Sequence, residues 1–529
     1  MELSMINAET RRLLSAEDSR ALDKEAQDEW GFNVFSLIEA AGRLSAETLV
    51  RHYGELFKNR PGISVFSGTG NNGADALVML RHWILLGLVE ASSCTLVLSR
   101  EPKKSEISPW TEILKSIEKM KVPVLVWNGD AGKDFIRNSD IIIDGIAGSG
   151  ISGGPLNGAA MEMVNAINSI KKKPFVVSVG IPSGNSDDWK SGMPIVKADV
   201  TLAVEPQMRC IYTPAARPYA GTILNINGIF PKEIIARCRG AELLDWESAH
   251  ARIPEVKAYS HKYERGTVEI HAGAEGTTGA ALIAARGAQA AGAGLVRLVV
   301  DDGIYPILAS GAGGIMVVPL SGAADGHDGK TEGRFKPDAI LLGPGWGRAE
   351  SRARVLMKAM ESEKTGIPLI LDADAIELSK NVKFNGNAIL TPHTGELSRF
   401  SGIDKEDLLC RPVPALLNLS REYNAVIIFK SHVIHLAAPD GRLGIVDGMA
   451  ANLASGGSGD LLAGFCAAIA ARKAREGGGF DAYNCAAAAA SLLIACAKAD
   501  NLRKRFTDPL ELAGKAAGLA GEAWLNGSE

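Results

Sequence analysis

Three short segments in the first half of the chain combine glycine with Asn, Asp or Ser directly after an apolar run. They are residues 67–75 (Ser-Gly-Thr-Gly-Asn-Asn-Gly-Ala-Asp), 144–150 and 178–184. Glycine at the end of a strand lets the backbone approach a ligand closely, and the free amides of a following helix attract an anion such as a pyrophosphate. The carboxyl ends of parallel strands open into one crevice. The segments therefore predict one ligand site, although a tight turn without a ligand explains residues 67–75 taken alone.

Oxygen-bearing side chains in these segments indicate a bound cation. Asn72, Asp144 and Ser183 offer amide, carboxylate and hydroxyl oxygens, which are typical ligands of hard cations. Asp75 precedes the helical pattern 76–86, where it either transfers protons or stabilises the helix dipole. The pattern predicts a cation beside a glycine-lined pocket.

The second half carries a glycine-rich turn with a carboxylate at its end, Gly456-Gly457-Ser458-Gly459-Asp460. The turn precedes the apolar helical run 461–471, so its amides converge where a transferring phosphoryl group or an oxyanion binds. Asp460, in the first helical turn, is placed to take a proton from an attacking hydroxyl. The alternative for Asp460 is a helix cap.

Four further residues of the second half have both a ligand-related and a structural interpretation. Ala280 lies in the small-residue helix 279–294 and Gly345 in a Gly-Pro-Gly-Trp-Gly turn, where each leaves room for a ligand or only for tight packing. Asp372 and Asp374 end a predicted strand, where one of them organises magnesium-bound water around a polyphosphate or simply serves as a turn carboxylate.

Two basic residues complete this set. His393 lies in a Thr-Pro-His-Thr-Gly-Glu turn, where it hydrogen-bonds a substrate or has a structural role. Lys430 follows the apolar run 426–429, where its plain structural interpretation is a solvated lysine at the end of a strand.

Short β-rich apolar runs separated by helix-length segments must position these residues. They are Ile63–Phe66, Thr95–Leu98, Ile141–Ile143, Phe175–Val179, Val200–Val204, Thr267–His271, Leu295–Val300, Ala339–Leu342, Leu369–Leu371, Ala388–Leu390 and Val426–Phe429. This alternation predicts parallel α/β sheets. The polar stretch Pro231–Pro254 separates two such series, so we expect two domains, 1–240 and 241–529.

Composition excludes several classes of partner. The 57 Lys and Arg oppose 61 Asp and Glu, a net charge of −4 without long blocks of either sign, so we expect no nucleic acid and no membrane partner. Seven scattered cysteines without a C-x-x-C pair argue against a disulfide framework and a zinc knuckle and favour the cytoplasm. We expect a homo-oligomer, with the alanine run 486–490 buried either between subunits or inside one domain.

Taken together, the motifs resemble a known family. G-x-G-N-N-G-x-D, D-x-x-x-G-x-G and I-P-S-G resemble the epimerase half of the bifunctional NAD(P)H-hydrate repair enzymes, as do Leu14–Glu17 and Ile38–Gly42. G-G-S-G-D resembles the anion hole of ribokinase-like enzymes. Further matches to the dehydratase half of the same family follow in the expected order, at 261–266, 279–296, 343–347, 371–375 and 390–396.

The resemblance implies a fold and a function. It implies an α/β protein of two domains, an N-terminal Rossmann-like doubly wound sheet and a C-terminal ribokinase-like α/β sandwich. The substrates would be NADHX and NADPHX, the hydrated forms of NADH and NADPH. One domain would epimerise the R and S hydrates, and the other would dehydrate the S hydrate with ADP, which is favoured over ATP, releasing AMP and phosphate. Mg²⁺ and K⁺ would be the metal cofactors.

The resemblance also assigns residues to roles. Asp460 would be catalytic and also bind the substrate. K⁺ would be held by Asn72, Asp144 and Ser183. Substrate would contact Asn71, Asn72, Gly73, Ala74, Asp75, Gly148, Ser149, Gly150, Gly154 and Gly180 in the first half, and Ala280, Gly345 and His393 in the second. Nucleotide would contact Lys430, Ser431, His432, Val433, Ile434, Gly457, Ser458 and Gly459.

The sequence departs from the family pattern at several positions. Ala74 replaces a glycine, Ala40 an asparagine, and Gly180 the aspartate expected before I-P-S-G; residues 431–434 replace a glycine-rich segment. Because Gly180 supplies no carboxylate for proton transfer, the alternative for the first domain is a non-catalytic ligand-binding or dimerisation module. The alternative for the second domain is a ribokinase-like small-molecule kinase that stops at the phosphorylated product.

Overall fold

The chain folds into two compact α/β units. The computed structural model describes residues 11–103, 107–129, 139–150, 154–170, 174–324, 336–347, 349–477, 479–499 and 505–525. Unit 1 comprises residues 1–242 and 409–411, and unit 2 comprises residues 243–408 and 412–529.

Unit 1 alternates strands with helices along most of its length. Its strands are β1 (Arg12–Leu14), β2 (Ile63–Ser67), β3 (Cys94–Leu98), β4 (Val124–Val126), β5 (Ile141–Gly145), β6 (Phe175–Val179), β7 (Val200–Val204), β8 (Gln207–Met208), β9 (Thr222–Ile226) and β10 (Ala241–Leu243). Its helices are α1 (Ala16–Asp28), α2 (Val34–Tyr53), α3 (Asn71–Leu85), α4 (Pro109–Lys119), α5 (Gly158–Asn168) and α6 (Lys232–Arg237).

The main sheet of unit 1 is parallel and doubly wound. Its seven strands follow the order β4-β3-β2-β5-β6-β7-β9, and every neighbouring pair is parallel. Helices α2, α3 and α4 pack on one face, around Val65 and Ile143, and α5 packs on the other, around Phe66 and Ile142. The winding direction reverses between β2 and β5, which is where ligands bind in such sheets. Segments 67–75 and 144–150 follow these two strands.

Unit 2 is larger and has more helices. Its strands are β11 (Thr267–His271), β12 (Leu295–Val300), β13 (Met316–Pro319), β14 (Ala339–Leu342), β15 (Leu369–Leu371), β16 (Ala388–Leu390), β17 (Val426–Phe429), β18 (Val433–Ala437) and β19 (Leu443–Asp447). Its helices are α7 (Trp246–His250), α8 (Thr278–Ala290), α9 (Tyr305–Gly311), α10 (Leu320–Ala324), α11 (Glu350–Lys364), α12 (Asp374–Leu378), α13 (Thr394–Ser401), α14 (Lys405–Cys410), α15 (Pro412–Tyr423), α16 (Ser458–Glu476), α17 (Ala482–Lys498) and α18 (Pro509–Trp524).

Small residues allow the helices of unit 2 to pack closely on its sheet. The strand order is β13-β12-β11-β14-β15-β16-β17-β18-β19, and only β18 and β19 run antiparallel to their neighbours. A Cβ atom on Gly464 of α16 would overlap the carbonyl oxygen of Ala284 on α8. Residues 486–490 of α17 are fully buried in the same core. Their burial is therefore explained inside one unit and gives no support to a subunit interface.

The predicted fold class and all eleven predicted strands are confirmed, within one or two residues at their ends. Two helices begin earlier than expected: α3 begins at Asn71 and not at residue 76, and α16 begins at Ser458 and not at residue 461. The glycine-rich segments therefore form the first helical turns themselves. Among the described residues, none of the helices is long and apolar enough to cross a bilayer.

The polar stretch 231–254 between the two series of strands has secondary structure of its own. This stretch contains α6, β10 and α7. Ile234, Ile235 and Ala249 of this stretch are fully buried, while most of its charged residues remain more exposed. Asp245 also caps α7 in a capping box with Ser248. Elements as short as these leave little periodicity in the sequence.

Candidate active sites

A cavity of about 600 Å³ opens in unit 1 at the switch point between β2 and β5. The glycine-rich segments predicted to form one site line it together. The predicted residues in its wall are Asn71, Asn72, Gly73, Asp75, Gly148, Ser149, Gly150 and Gly180. Two other predicted contacts, Ala74 and Gly154, lie outside this wall, and Ala74 is fully buried in the core.

Asn72 lies against two of the predicted glycines. A Cβ atom on Gly148 would be 2.9 Å from the Asn72 Cβ, and one on Gly180 would be 3.1 Å from the Asn72 Oδ1. Gly180 also has a φ of +70°, a left-handed conformation that most side chains disfavour. Glycine at position 180 therefore suits the left-handed backbone conformation and leaves room for the Asn72 side-chain amide.

The expected cation ligands Asp144 and Ser183 are in direct contact. Asp144 is fully buried, and its Oδ2 accepts hydrogen bonds from the Ser178 hydroxyl at 2.7 Å and from the Ser183 amide at 2.9 Å. Burial raises the pKa of Asp144, and the hydrogen bonds from Ser183 and Ser178 oppose this rise. Asn72, the third expected ligand, lies beside the residue that follows Asp144: a Cβ atom on Gly145 would be 3.0 Å from the Asn72 carbonyl oxygen.

Two carboxylates with raised pKa values line the same cavity. Burial raises the pKa of Asp75 well above its ordinary value, and the charge of Asp23 adds to the rise. The Asp75 Oδ1 atom is shielded from solvent and has no hydrogen-bond partner among the described residues. Burial raises the pKa of Asp23 to about 6. Asp23 was not predicted as a site residue, because it lies on α1, far before the glycine motif along the chain. Its neighbour Leu22 is buried, and an apolar neighbour is a weak indication that an aspartate is buried too.

In unit 2, the N-terminus of α16 carries the predicted phosphoryl site. Gly457 is its N-cap, with a φ of +97° that suits glycine. The Leu461 amide makes the first bond of the helix, to the Gly457 carbonyl at 2.9 Å. Helix geometry leaves the preceding amides, those of Ser458, Gly459 and Asp460, without acceptors inside the helix. Residues 457–460 are partly exposed, so these amides can reach a ligand.

Asp460 lies in a cluster of alternating charges. Burial and the neighbouring Asp372 raise the pKa of Asp460 to about 7, and Glu396 adds to the rise while Lys430 opposes it. A carboxyl group with this pKa is suited to proton transfer near neutral pH. The pKa suits the predicted role of Asp460 in proton transfer, which stays a prediction.

Lys430 connects the strand ends to the N-terminus of α16. Its Nζ is 2.6 Å from the Asp372 Oδ1 and 4.0 Å from the Glu396 Oε2, and it would be 3.2 Å from a Cβ on Gly459. Although burial lowers the pKa of Lys430, the charges of Asp372 and Glu396 outweigh it and raise this pKa. The alternative of a solvated strand-end lysine was therefore wrong. Glu396 was not predicted as a site residue, although it ends the same Thr-Pro-His-Thr-Gly-Glu turn that contains His393.

His393 caps helix α13. Its Nδ1 accepts hydrogen bonds from the Gly395 amide at 2.9 Å and the Glu396 amide at 3.3 Å, and the Glu396 carboxylate accepts one from the His393 amide at 2.8 Å. Burial lowers the pKa of His393, which favours the neutral ring that such acceptance requires. Half of the ring stays exposed, so its contact with substrate stays a prediction.

Ala280 and Gly345 come together, as a shared ligand wall requires. A Cβ on Gly345 would be 2.8 Å from the Ala280 Cβ, and Gly345 has a φ of +57°. The Thr277 hydroxyl fixes this turn by donating to the Gly345 carbonyl at 2.7 Å. Substitution at either position would change the space between α8 and this turn.

The strand-end aspartates already have hydrogen-bond partners within the chain, and their role toward magnesium-bound water stays a prediction. The Asp372 Oδ1 accepts hydrogen bonds from the Lys430 ammonium and, at 2.7 Å, from the Thr391 hydroxyl, so its charge is already balanced. The Asp374 Oδ2 accepts the Gly347 amide at 3.0 Å, as a turn carboxylate does. No group of three or more His, Cys, Asp or Glu suited to a metal occurs among the described residues.

The predicted nucleotide segment 430–434 forms the hairpin between β17 and β18. The Ser431 hydroxyl donates to the Val433 carbonyl at 2.5 Å and accepts the Val433 amide at 3.1 Å. The side chains of Val433 and Ile434 are buried in β18. A nucleotide could therefore meet the side chains of residues 430–432 but only the backbone of residues 433 and 434. The predicted contact between this segment and a nucleotide stays a prediction.

Comparison with known proteins matches both units. A family model described as NAD(P)H-hydrate dehydratase matches residues 268–516, and one described as YjeF-related protein N-terminus matches residues 34–210. The bifunctional NAD(P)H-hydrate repair enzyme Nnr of Moorella thermoacetica is 29% identical over 483 residues, covering 88% of this chain and 89% of that protein. The Nnr of Escherichia coli is 28% identical over 509 residues, covering 93% and 90%.

A solved structure also matches unit 2. It is the ADP/ATP-dependent NAD(P)H-hydrate dehydratase from Bacillus subtilis co-crystallised with ATP/Mg²⁺, which is 26% identical, has a TM-score of 0.46, and covers 53% of this chain and 99% of that one. Both family models and the relatives aligned along most of the sequence agree with the motifs of both halves. The chain belongs to the family of bifunctional NAD(P)H-hydrate repair enzymes, which join an epimerase-type N-terminal domain to a dehydratase domain.

Proposed function

We propose that this chain repairs hydrated NADH and NADPH at two sites. Domain 241–529 dehydrates the S hydrate with ADP and releases AMP and phosphate, and domain 1–240 interconverts the R and S hydrates. The observation that carries the proposal is the open N-terminus of α16, where unsatisfied amides and Asp460 lie together. ADP is preferred over ATP because of the family resemblance; the Bacillus subtilis protein is named as using either.

In the dehydratase site, Asp460 prepares the substrate for phosphoryl transfer. Its carboxylate takes the proton of the C6 hydroxyl as that oxygen attacks the terminal phosphorus of ADP. The amides of Ser458 and Gly459 face the charge that develops on the transferred group, a placement that stabilises the transition state. Lys430, held by Asp372, adds a positive charge beside Gly459.

Phosphorylation turns a poor leaving group into a good one. The C6–O bond breaks, phosphate departs with the bonding electrons, and the lone pair of the ring nitrogen forms the C6=N1 double bond. Loss of a proton from C5 then restores the C5=C6 double bond and NADH or NADPH. Ala280, Gly345 and His393 are proposed to hold the nicotinamide part of the substrate against this site. Because Asp372 and Asp374 are already engaged, no step is assigned to Mg²⁺ at these residues.

In the epimerase site, the residues present fit a potassium ion. Asn72, Asp144 and Ser183 offer oxygen ligands, and the buried Asp144 has no ion-pair partner among the described residues, so a cation there would balance its charge. Potassium bound there would supply a fixed positive charge beside the cavity. The glycine-rich wall, Gly148 to Gly150, would face the phosphates or ribose of the hydrate.

The proposal is tested with the full-length chain, purified S hydrate and ADP. We expect recovery of the absorbance of the reduced nicotinamide together with equal amounts of AMP and phosphate, and loss of both in Asp460→Asn. A phosphorylated nicotinamide that accumulates without recovery would instead identify a small-molecule kinase. The cytoplasmic location and the homo-oligomer expected from the sequence stay predictions.

A further inference from the structure

The cavity of unit 1 has a glycine at the position before I-P-S-G, where the family resemblance leads us to expect an aspartate. Gly180 occupies that position and lines the cavity. Epimerisation at a carbinolamine carbon requires a proton to reach the departing hydroxyl and another to leave the incoming water. If this domain is an epimerase, as proposed above, carboxylates elsewhere in the cavity wall must do this work.

Three carboxylates of the described residues line the cavity: Asp23, Asp75 and Glu205. The Glu205 Oε1 accepts hydrogen bonds from the amides of Gly228, Ile229 and Phe230, at 2.6, 2.6 and 3.1 Å. Its charge is therefore committed to holding that loop. Asp23 and Asp75 remain, from helices α1 and α3.

Buried atoms without partners indicate that this wall is built to meet a ligand. The Asp75 Oδ1 and the Asn72 Nδ2 are both shielded from solvent, and neither has a hydrogen-bond partner among the described residues. Both residues line the cavity. Buried polar atoms are rarely left unpaired in proteins, because each costs about 1–3 kcal/mol, so these two are expected to bind substrate groups.

We propose that Asp23 and Asp75, in the wall of one cavity, act as the general base and the general acid of the epimerisation. Asp75 donates its proton to the C6 hydroxyl, the C6–O bond breaks as the N1 lone pair forms C6=N1, and water leaves. Water then adds to the opposite face of C6, and Asp23 takes its extra proton. Water in the cavity carries this proton back to Asp75, so the pair ends as it began and nothing is oxidised or reduced.

The surroundings of the pair favour this division of roles. Asp75 is the more buried, and burial together with the charge of Asp23 raises its pKa, so of the two it is the better suited to donate a proton; Asp23 has a pKa of about 6 and is mostly ionised at neutral pH. The other charged groups at this cavity are Arg20, one turn before Asp23, and the committed Glu205. On α6, packed against α1, Arg237 pairs with Glu25 at 3.5 Å.

The experiment uses the full-length chain without ADP, so that epimerisation is seen without dehydration. Pure R hydrate is supplied, and the R and S forms are separated chromatographically over time. We expect the wild type to exceed the spontaneous rate, and Asp23→Asn and Asp75→Asn to fall by roughly 100-fold, the usual contribution of a general acid or base. Asp23→Glu should retain more activity than Asp23→Asn because it keeps the acid. Glu17→Gln, on the exposed side of α1, is the matched control.

The pH profile and the second site separate a chemical role from a structural one. The wild-type rate should fall as the pH drops through about 6, where Asp23 becomes protonated, and Asp23→Asn should lose this dependence. Dehydration of S hydrate by unit 2 should be unchanged in each variant. Wild-type rates and an unchanged profile in both Asn variants would overturn the acid–base pair while leaving the epimerase. A wild type no faster than the spontaneous reaction would overturn the epimerase itself.

Discussion

Replacing Lys430 with Met should move the pH dependence of dehydration rather than simply abolish it. With the Asp460 pKa at about 7, the ionised base makes up about one tenth of the enzyme at pH 6 and about nine tenths at pH 8, so wild-type kcat/KM should rise about tenfold over this range. Lys430 lowers the pKa of Asp460, whereas the nearby Asp372 raises it. Without the lysine, nothing opposes the effect of the Asp372 charge, and the pKa of Asp460 should rise.

The size of the shift follows from the proximity of these charges. An opposite charge within roughly 4–6 Å changes a carboxyl pKa by about 1–3 units. A rise of roughly 1–2 units in Lys430→Met would lower the ionised fraction at pH 7 by roughly 5- to 50-fold, and the activity should return at higher pH. The assay is kcat/KM for the S hydrate with saturating ADP from pH 5.5 to 9.

Two comparisons make this result decisive. The ionisation of ADP affects the wild type and Lys430→Met equally, so it does not contribute to the difference between their pH profiles. Lys473→Met, which removes a lysine paired with Glu476 at the far end of the same helix, should leave the midpoint in place. A Lys430→Met profile lowered equally at every pH, with an unmoved midpoint, would refute the electrostatic reasoning.

Three other perturbations test separate parts of the account. Glu396→Gln removes a negative charge that raises the pKa of Asp460, so the midpoint of kcat/KM should move to lower pH, opposite to Lys430→Met; an upward movement would contradict this. Gly464→Ala should lower the free energy of unfolding by about 1–3 kcal/mol in denaturant titrations because its Cβ overlaps Ala284, whereas Gly514→Ala, with open space around it, should be neutral or stabilising. In thermal melts, potassium but not choline should stabilise the wild type; Asp144→Asn should lose this response, and an equal response in both proteins would exclude Asp144 as a ligand.

Much of the fold could be predicted because buried parallel strands are short, continuous apolar runs. Runs such as Ile141–Ile143 and Val426–Phe429 need no partner information to be recognised. Strands at or near the sheet edges, such as β4 and β9, are only partly buried and carry mixed residues, so their pattern is weak. The first turns of α3 and α16 were missed because glycine is a poor helix former, although a ligand-binding turn requires it.

The sites were predictable where the chemistry lies in one contiguous segment and not where it comes from distant ones. Gly457 to Asp460 form a local motif whose amides and carboxylate share one turn. Asp23 joins Asp75 only because α1 and α3 both contribute to one cavity wall, and Lys430 meets Asp372 only through neighbouring strand ends. Such pairings depend on the tertiary fold, which spacing along the chain does not encode.

Labelling the C6 hydroxyl of the S hydrate with heavy oxygen tests the central claim most directly. If Asp460 activates this hydroxyl toward the phosphoryl group held at the N-terminus of α16, the labelled oxygen must leave as part of phosphate. Mass spectrometry of the products should therefore find the label in inorganic phosphate. Label recovered in water beside unlabelled phosphate, with the reduced nicotinamide restored, would contradict phosphoryl transfer to the substrate.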